Sequence, residues 1–263
     1  NAGHMGYDAT IVGGVIGVDK RFEKRLIGLG GGYASTDLNG NGGNDGEADT
    51  AYVMGYFSHS SESLYFDATL NYAYNDVETK GVSSVGYEAD YDASTVGFGI
   101  GTGYGLSFYK DKLLFTPEAS YLGTYYNRGE YTEKSNLATP FPDKNYGSYD
   151  QWSHLTAIGA TLSTIAVLDY FNAELEYQPE LRAHWLHEFN AQMDDDSYVM
   201  VGGSLDPLAV ALQAREEDLI RLGAGIRFSK WHSDRTEFGF DIDGAFGGDY
   251  QNFIVSGKIM HRF

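Results

Sequence analysis

Cysteine is absent from the 263-residue chain. That removes disulfides, thiol nucleophiles and thiolate metal sites together, and it suits a polypeptide that crosses an oxidising compartment. Basic residues are scarce: 18 Lys and Arg stand against 37 Asp and Glu, a formal net charge of -19. Such a balance repels a phosphate backbone, so nucleic acid is excluded as a partner. Only 5 prolines occur, and no stretch approaches the ~18 consecutive apolar residues of a spanning helix. What the chain has in quantity is glycine (34 residues), tyrosine (21) and phenylalanine (15), with 42% hydrophobic residues overall. The glycines lack the collagen period, and this apolar content would not stay solvated as a disordered chain.

Alternation with a period of two runs from end to end, which is the mark of strands rather than helices. Between Phe171 and Phe189 one face carries Phe171, Ala173, Leu175, Tyr177, Leu181, Trp185 and Phe189. The other face carries Glu174, Glu176, Glu180, Arg182, His184 and Glu188. Ile220, Leu222, Ala224, Ile226 and Phe228 oppose Arg221, Gly223, Gly225 and Arg227, while Phe238, Phe240 and Ile242 oppose Gly239, Asp241 and Asp243. From Thr95 to Phe108 the apolar face (Val96, Phe98, Ile100, Tyr104, Leu106, Phe108) opposes Gly97, Gly99, Gly101, Gly103 and Gly105. Glycine fills no core and weakens a strand interior, so a soluble sandwich is hard to build from this strand. An apolar face turned to lipid and a glycine face lining a lumen with room for something to pass account for both sides.

Twelve strands are expected, at 9–19, 25–36, 49–60, 63–75, 93–108, 112–126, 153–166, 171–189, 199–213, 218–229, 235–246 and 250–263. Asp206-Pro207 interrupts the ninth. The connections KRFEK, HSSES, YKDK and VLDYF read as tight turns, whereas 37–48, 76–92, 127–152 and 190–198 read as longer polar loops. Short turns on one rim and long loops on the other are the habit of outer-membrane barrels. The expected fold is therefore an all-β, 12-stranded antiparallel up-and-down transmembrane β-barrel, with both chain ends on one side of the membrane. Tyr33, Tyr72, Tyr74, Tyr104, Phe108, Tyr121, Tyr125, Trp185, Phe189, Phe228, Phe246 and Phe253 fall near strand ends on apolar faces, where hydrocarbon meets headgroups.

The chain ends NFIVSGKIMHRF, with Phe253, Val255, Gly257, Ile259, His261 and Phe263 on one face. A closing strand with a terminal Phe resembles the assembly signal of Gram-negative outer-membrane barrels. Further stretches carry a wider resemblance: GGVIGVDKRF at 13–22, LIGLGGGYASTD at 26–37, AYVMGYFS at 51–58, LYFDATLNYAYND at 64–76, FTPEASYLGTYYNRGEY at 115–131, ELRAHWLHEF at 180–189 and LGAGIRF at 222–228. In this order and spacing the chain resembles the autotransporter β-domain, the translocator of type V secretion. The resemblance implies a monomeric barrel in the outer membrane of a Gram-negative bacterium. Its partners would be membrane lipid, the barrel assembly machinery that inserts it, and its own N-terminal passenger, exported through the lumen. Residues 1–5 (NAGHM) read as a vector remnant, so the barrel is expected over 6–263 with the passenger and the family's linker helix absent.

In this register Glu118, Glu174, Glu176, Glu180, Arg182, His184, Arg221, Arg227, Asp241, Asp243, Lys258 and Arg262 line the pore. Charges of both signs around a wet bore can pair across neighbouring strands and still meet a transiting chain. Catalysis is the weaker explanation. Ser153 and His154 are adjacent in a strand and point to opposite faces, and His232 with Asp234 falls in a turn. No cofactor is expected. Asp37, Asn39 and Asn41 have calcium-loop spacing, but the twelfth position is Ala48 where a bidentate Glu belongs, so 37–49 is read as a solvated loop without metal. The acidic run Asp194–Asp196 is likewise read as a charged loop tip. The competing function is a 12-stranded passive outer-membrane channel of the porin kind.

Overall fold

The computed structural model describes residues 7–40, 44–81, 86–110, 112–135, 143–170, 173–190, 198–201, 208–209, 217–229, 236–248 and 250–261. Its elements are β1 (Tyr7–Phe22), β2 (Arg25–Gly40), β3 (Asn44–Ser60), β4 (Leu64–Gly81), β5 (Tyr87–Tyr104), β6 (Leu106–Phe108), β7 (Leu113–Arg128), β8 (Tyr131–Ser135), β9 (Lys144–Tyr146), β10 (Tyr149–Thr164), β11 (Ala166–Tyr170), β12 (Ala173–Glu188), β13 (Tyr198–Val201), β14 (Leu208–Ala209), β15 (Asp218–Ser229), β16 (Thr236–Gly247) and β17 (Tyr250–His261). Among the described residues no helix occurs. The long strands form one antiparallel meander, β1-β2-β3-β4-β5-β7-β10-β12-β15-β16-β17. The short pieces extend it. β6 continues β5 against β7 in unchanged register, and β11 continues β10 against β12.

The alternation legible in the sequence sorts side chains as expected. On β5 the buried and half-buried positions include Gly97, Gly99, Gly101 and Gly103, while Val96, Phe98, Ile100 and Tyr104 are exposed. The exposed face carries large apolar side chains over the whole sheet, such as Ile16, Leu29, Leu70, Leu181, Leu222 and Ile259. Apolar burial among the described residues is confined to Val77, Ala89, Ala93 and Leu186. A water-soluble domain of this size buries its large apolar side chains. This sheet turns them outward, which is stable only where lipid covers them.

Three expectations need correction. The ninth strand, 199–213, does not lie between its sequence neighbours, because β12 pairs directly with β15 from Glu176↔Ser229 to His187↔Asp218. Pro207 cannot donate to a ladder and Gly202-Gly203 weakens one. Of that stretch only the short β13 and β14 are described as strand, and they pair with each other and, through β13, with β9. Eleven long strands are thus described, and the ends of the described chain lie at opposite rims. Second, much of the expected loops is strand. Asp37↔Glu47 and Asn39↔Asp45 belong to the β2–β3 ladder, and Asp76↔Asp92 to the β4–β5 ladder. A strand of 16 residues, such as β1, rises about 40 Å along the axis at a ~40° tilt, well beyond a ~25 Å apolar band. The extensions are polar because they stand in water, and polarity alone had marked them as loops. The calcium-like spacing at 37–49 is thus drawn out straight rather than curled around an ion. Third, VLDYF is not a turn, since Val167–Tyr170 pairs with Ala173–Glu176 as a hairpin arm.

The connections after β1, β3, β6, β11 and β15 lie at one end, here termed the turn rim. The first is the two-residue turn Glu23-Lys24, where Glu23 adopts a φ of 47°. At the opposite loop rim β8 and β9 continue the β7–β10 ladder in unchanged register, Tyr131↔Tyr146 following Arg128↔Tyr149, and β9 pairs in turn with β13.

Candidate functional site on the concave face

The less exposed face carries a repeated device. At several ladder positions a glycine on one strand is flanked on both neighbouring strands by long polar side chains that reach across it. Asp19, Gly28 and Tyr56 lie in one row across β1, β2 and β3, and the Tyr56 hydroxyl donates to Asp19 at 3.1 Å. Tyr65, Gly103 and Glu118 lie in a row across β4, β5 and β7, and Tyr65 Oη donates to Glu118 Oε2 at 2.5 Å. Glu118, Gly159 and His184 continue that row across β10 to β12, with His184 Nε2 at 2.7 Å from Glu118 Oε1. Arg182, Gly223 and Asp243 repeat it across β12, β15 and β16, with Arg182 Nη2 donating to Asp243 at 3.0 Å. Strands lie about 4.8 Å apart, so each contact spans two strand spacings. Side chains meet over an intervening strand only on a concave surface, which makes this face the inside of the curl.

Glycine is required at these positions because the space above it is occupied. A Cβ on Gly103 would lie 2.7 Å from Tyr65 Cζ, and one on Gly223 would lie 2.9 Å from Arg182 Nε. At Gly159 it would come within 2.7 Å of His184 Cα. At these positions the expectation that inner glycines leave the bore open is therefore corrected, because neighbouring side chains and backbone take the room, whereas Gly101 and Gly239 keep room for a Cβ above them.

Two hubs result. Glu118 accepts from Tyr65 and from Thr161 Oγ1 (2.7 Å) while contacting His184. It borders a recess of about 350 Å³ shared with Asp67, Thr69 and Ser120. Arg182 forms the second hub. It pairs with Glu180, with Asp241 at 2.8 Å and with Asp243 at 3.0 Å, while Arg221 reaches Asp243 at 3.2 Å and Arg227 reaches Glu180 at 3.0 Å. Three carboxylates and three guanidinium groups thus balance, and Arg182 is the most enclosed of the cations.

Of the residues expected to line the pore, Glu118, Glu176, Glu180, Arg182, His184, Arg221, Arg227, Asp241 and Asp243 share this face, and Glu176 accepts from Ser229. Lys258 joins them opposite Gly239. Glu174 holds its ladder place opposite Asp169, but its side chain lies outside the described residues, as do Arg262 and Phe263. Phe253, Val255, Gly257, Ile259 and His261 keep one face of β17, turned outward, and His261 Nδ1 lies 2.9 Å from Thr236 Oγ1. Tyr65 and Thr161 are part of the network although charge and motif did not single them out. The signal was the alternation itself, which puts Tyr65 and Thr161 on the same face as Glu118.

Ser153 and His154 part as their adjacency requires. Ser153 donates to Glu188 on the inside, while His154 Nδ1 meets the Tyr121 hydroxyl outside at 2.6 Å, stacked beside Trp152. They form no nucleophile–base pair. His232, Asp234 and Asp194–Asp196 lie outside the described residues.

At the loop rim a further cluster lies where β8 and β9 extend β7 and β10. Tyr131 stacks between Tyr91 and Tyr146, at 4.5 and 4.6 Å, and the Arg128 guanidinium lies 4.6 Å from the Tyr131 ring. Lys144 pairs with Glu133 and sits 3.8 Å over Tyr87. Burial pushes the Tyr131 and Tyr146 phenols above their ordinary value. The Glu133 carboxylate adds to that at both, and Arg128 opposes it.

The comparisons fit this geometry. The Autotransporter beta-domain family model matches residues 1–243. Among curated proteins, YaiT of Escherichia coli is 22% identical over 234 residues, and the match takes in 86% of this chain and 22% of YaiT. The chain thus spans about a fifth of that relative's length. Three solved structures share the fold. The β-domain of the Bordetella autotransporter BrkA has a TM-score of 0.70 at 18% identity, covering 98% of this chain and 92% of BrkA's. The translocator domain of NalP from Neisseria meningitidis has a TM-score of 0.75 at 12% identity, covering 98% and 82%. The transport unit of AIDA-I from Escherichia coli has a TM-score of 0.63 at 16% identity, again covering 98% and 82%. An inverted sheet of this length, apolar outside and ion-paired inside, matched over nearly its whole extent by one family, leaves a single assignment: the chain belongs to the autotransporter β-domain family, transport modules of the Gram-negative outer membrane.

Proposed function

We propose that this chain is the membrane anchor and export unit of a longer protein, holding in the outer membrane a passenger that lies N-terminal to it. The observation that carries this reading is the inversion of the sheet. Large apolar side chains are exposed on the convex face, and acids and bases pair on the concave one. Lipid takes the first face, and a polypeptide in transit passes along the second. A chain moving through such a bore exposes peptide N–H and C=O groups, and side chains of both signs offer them partners without holding any one tightly. Glu118, Glu174, Glu176, Glu180, Arg182, His184, Arg221, Arg227, Asp241, Asp243, Lys258 and Arg262 line that path. The barrel works as a monomer. The strip Phe253, Val255, Gly257, Ile259, His261 and Phe263 is what the barrel assembly machinery reads. The family match favours this reading over the passive channel, which shares the strands but not the family's sequence pattern.

The test is a fusion carrying a protease-sensitive reporter upstream of the barrel in its natural protein. External protease should remove the reporter from intact cells while the barrel stays protected. A reporter that remains inside cells whose barrel is folded and inserted would refute export. Replacing Phe253, Val255 and Ile259 together with Ser should lower the amount of inserted barrel without changing its synthesis.

A further inference from the structure

The convex wall of β1 to β5 meets its two rims with opposite charge. Near the loop rim two outward rows of the ladder are acidic. Asp49, Asp76 and Asp92 stand side by side on β3, β4 and β5, and Asp37, Glu47, Glu78 and Asp90 follow two residues further out on β2 to β5. Near the turn rim the outward rows hold no carboxylate. One joins Lys20 to Ile27 and Phe57, and the next joins Phe22 to Arg25, His59 and Phe66. Glu23, Lys24 and Glu62 lie beyond them in exposed turns. Unlike the arginines of the inner hub, Lys20 and Arg25 have no carboxylate partner among the described residues. The Lys20 ammonium lies 5.2 Å over the Phe22 ring, so its stem runs along apolar surface toward the rim. The ten residues from Arg25 to Ser35, which is paired with Asp49, rise about 25 Å along the axis at a ~40° tilt. That is the height of the apolar band, so the bases and the acids stand at its two opposite edges.

We infer that Lys20, Arg25 and His59 form a headgroup site on the convex face for an anionic phospholipid of the leaflet at the turn rim, with the phosphate as the group bound. Arg25 supplies charge-assisted N–H donors, Lys20 an ammonium and His59 a ring N–H. Phe22, Ile27 and Phe66, which are 48%, 50% and 40% exposed, stand among them and cover the upper part of the acyl chains. This placement selects a lipid rather than an acidic protein. The bases project from the wall between apolar side chains, whereas a water-borne partner would meet the turn tips first. An anionic lipid is preferred over a zwitterionic one, because no amine in its own headgroup answers the phosphate charge and each nearby Lys or Arg adds attraction. The carboxylate rows repel the same lipid at the loop rim, so the site belongs to one leaflet, the periplasmic one in barrels with short periplasmic turns. The inference rests on the lipid-covered convex face of the reading above.

The chain has no cysteine, so a single thiol can report each level. The natural protein, with any cysteine elsewhere changed to serine, is folded in phosphatidylcholine vesicles. A fluorophore is attached at Phe66→Cys in the cationic rows or at Ser35→Cys in the acidic ones, and lipids carrying a nitroxide on the acyl chain quench it. Labelled phosphatidylglycerol should quench at Phe66→Cys at a concentration at least about three-fold below that of labelled phosphatidylcholine. At Ser35→Cys it should quench less well than phosphatidylcholine. Lys20→Gln with Arg25→Gln should erase the preference at Phe66→Cys, and the charge-keeping pair Lys20→Arg with Arg25→Lys should retain it, each scored on protein whose heat-dependent gel shift is intact. Equal quenching by the two lipids at Phe66→Cys, one preference shared by both reporters, a preference that outlives the glutamine pair, or its loss in the charge-keeping pair would each overturn the site. So would its loss on adding glycerol phosphate to the buffer, which would make the ligand a soluble phosphate rather than a lipid. Strong quenching by both lipids without preference would sink the headgroup site and leave the lipid-covered face standing, whereas no quenching by either would sink that face as well.

Discussion

Replacing Leu181 with arginine separates a lipid-facing sheet from a water-facing one. Leu181 lies on the convex face of β12, opposite Leu162 and Ala224, and is 61% exposed. It stands midway between Tyr177, which is paired with Phe228, and Trp185, four residues to either side. These rings mark the two edges of the apolar band, which places Leu181 near the bilayer midplane, where arginine costs about 2–4 kcal/mol. That is about a thirty- to thousand-fold loss in the folding equilibrium. At the band's edge the cost falls to ~0–1 kcal/mol, so Tyr177→Arg should be nearly neutral. On a water-exposed surface, by contrast, Leu181→Arg would lie within about ±0.5 kcal/mol of the parent. The assay is reversible guanidinium unfolding of the closed barrel in lipid vesicles, followed by tryptophan fluorescence. Equal midpoints for Leu181→Arg and the parent, or a larger loss at Tyr177 than at Leu181, would refute a lipid-covered convex face.

The ion-pair hub predicts an uneven response among three arginines. Arg182, with a side chain 17% exposed and three carboxylate partners, should cost about 3 kcal/mol as Arg182→Ala, because enclosed carboxylates lose their counter-charge. Arg227→Ala, 59% exposed with one partner, should cost under about 1 kcal/mol in the same titration. Equal losses would show that the hub is not what holds β12 to β16. Gly103→Ala would push the Tyr65 ring off Glu118 and cost roughly 1–3 kcal/mol, whereas Gly14→Ala, with open space around its Cβ, should be silent. A silent Gly103→Ala would remove the claim that the space above the glycine is taken. The loop-rim cluster predicts alkaline lability. Tyr131 and Tyr146 have folded pKa values above the unfolded value of ~10. Their contribution is complete below about pH 10, and it is lost as pH rises from there toward the folded values, because the unfolded state releases its protons first. Tyrosinate absorbance and amide exchange should show β8 and β9 opening in that window while the barrel strands stay protected. Simultaneous loss of both would refute an extension that opens on its own.

How far the sequence carries depends on which physical quantity is asked for. Face assignment needs only the period of two, and every described strand residue of the expected pore set lies on the face its parity gave it, from Glu118 to Lys258. The lipid reading also needs no partner information. Val96, Phe98, Ile100 and Tyr104 cannot form a core across from a row of glycines, whatever strand comes next. Strand ends were less legible, because Asp37, Asp45, Glu47 and Asp76 look like loop residues until the strands are seen to outrun the membrane. Pairing was beyond reach: whether 199–213 sits between β12 and β15 depends on which backbone finds Glu176–His187 first, a contact between segments far apart in the chain.

The amino-acid order alone thus decided the orientation of this sheet toward lipid and water, because alternation along a strand is a local property that each residue's transfer energy enforces. Only the tertiary structure decided that β12 pairs with β15 and which partners the inner charges take, together with the work of the inner glycines. Each of these requires residues from three strands in one row, as where Arg182 meets Asp243 over Gly223, and a row across strands is written nowhere in the linear order.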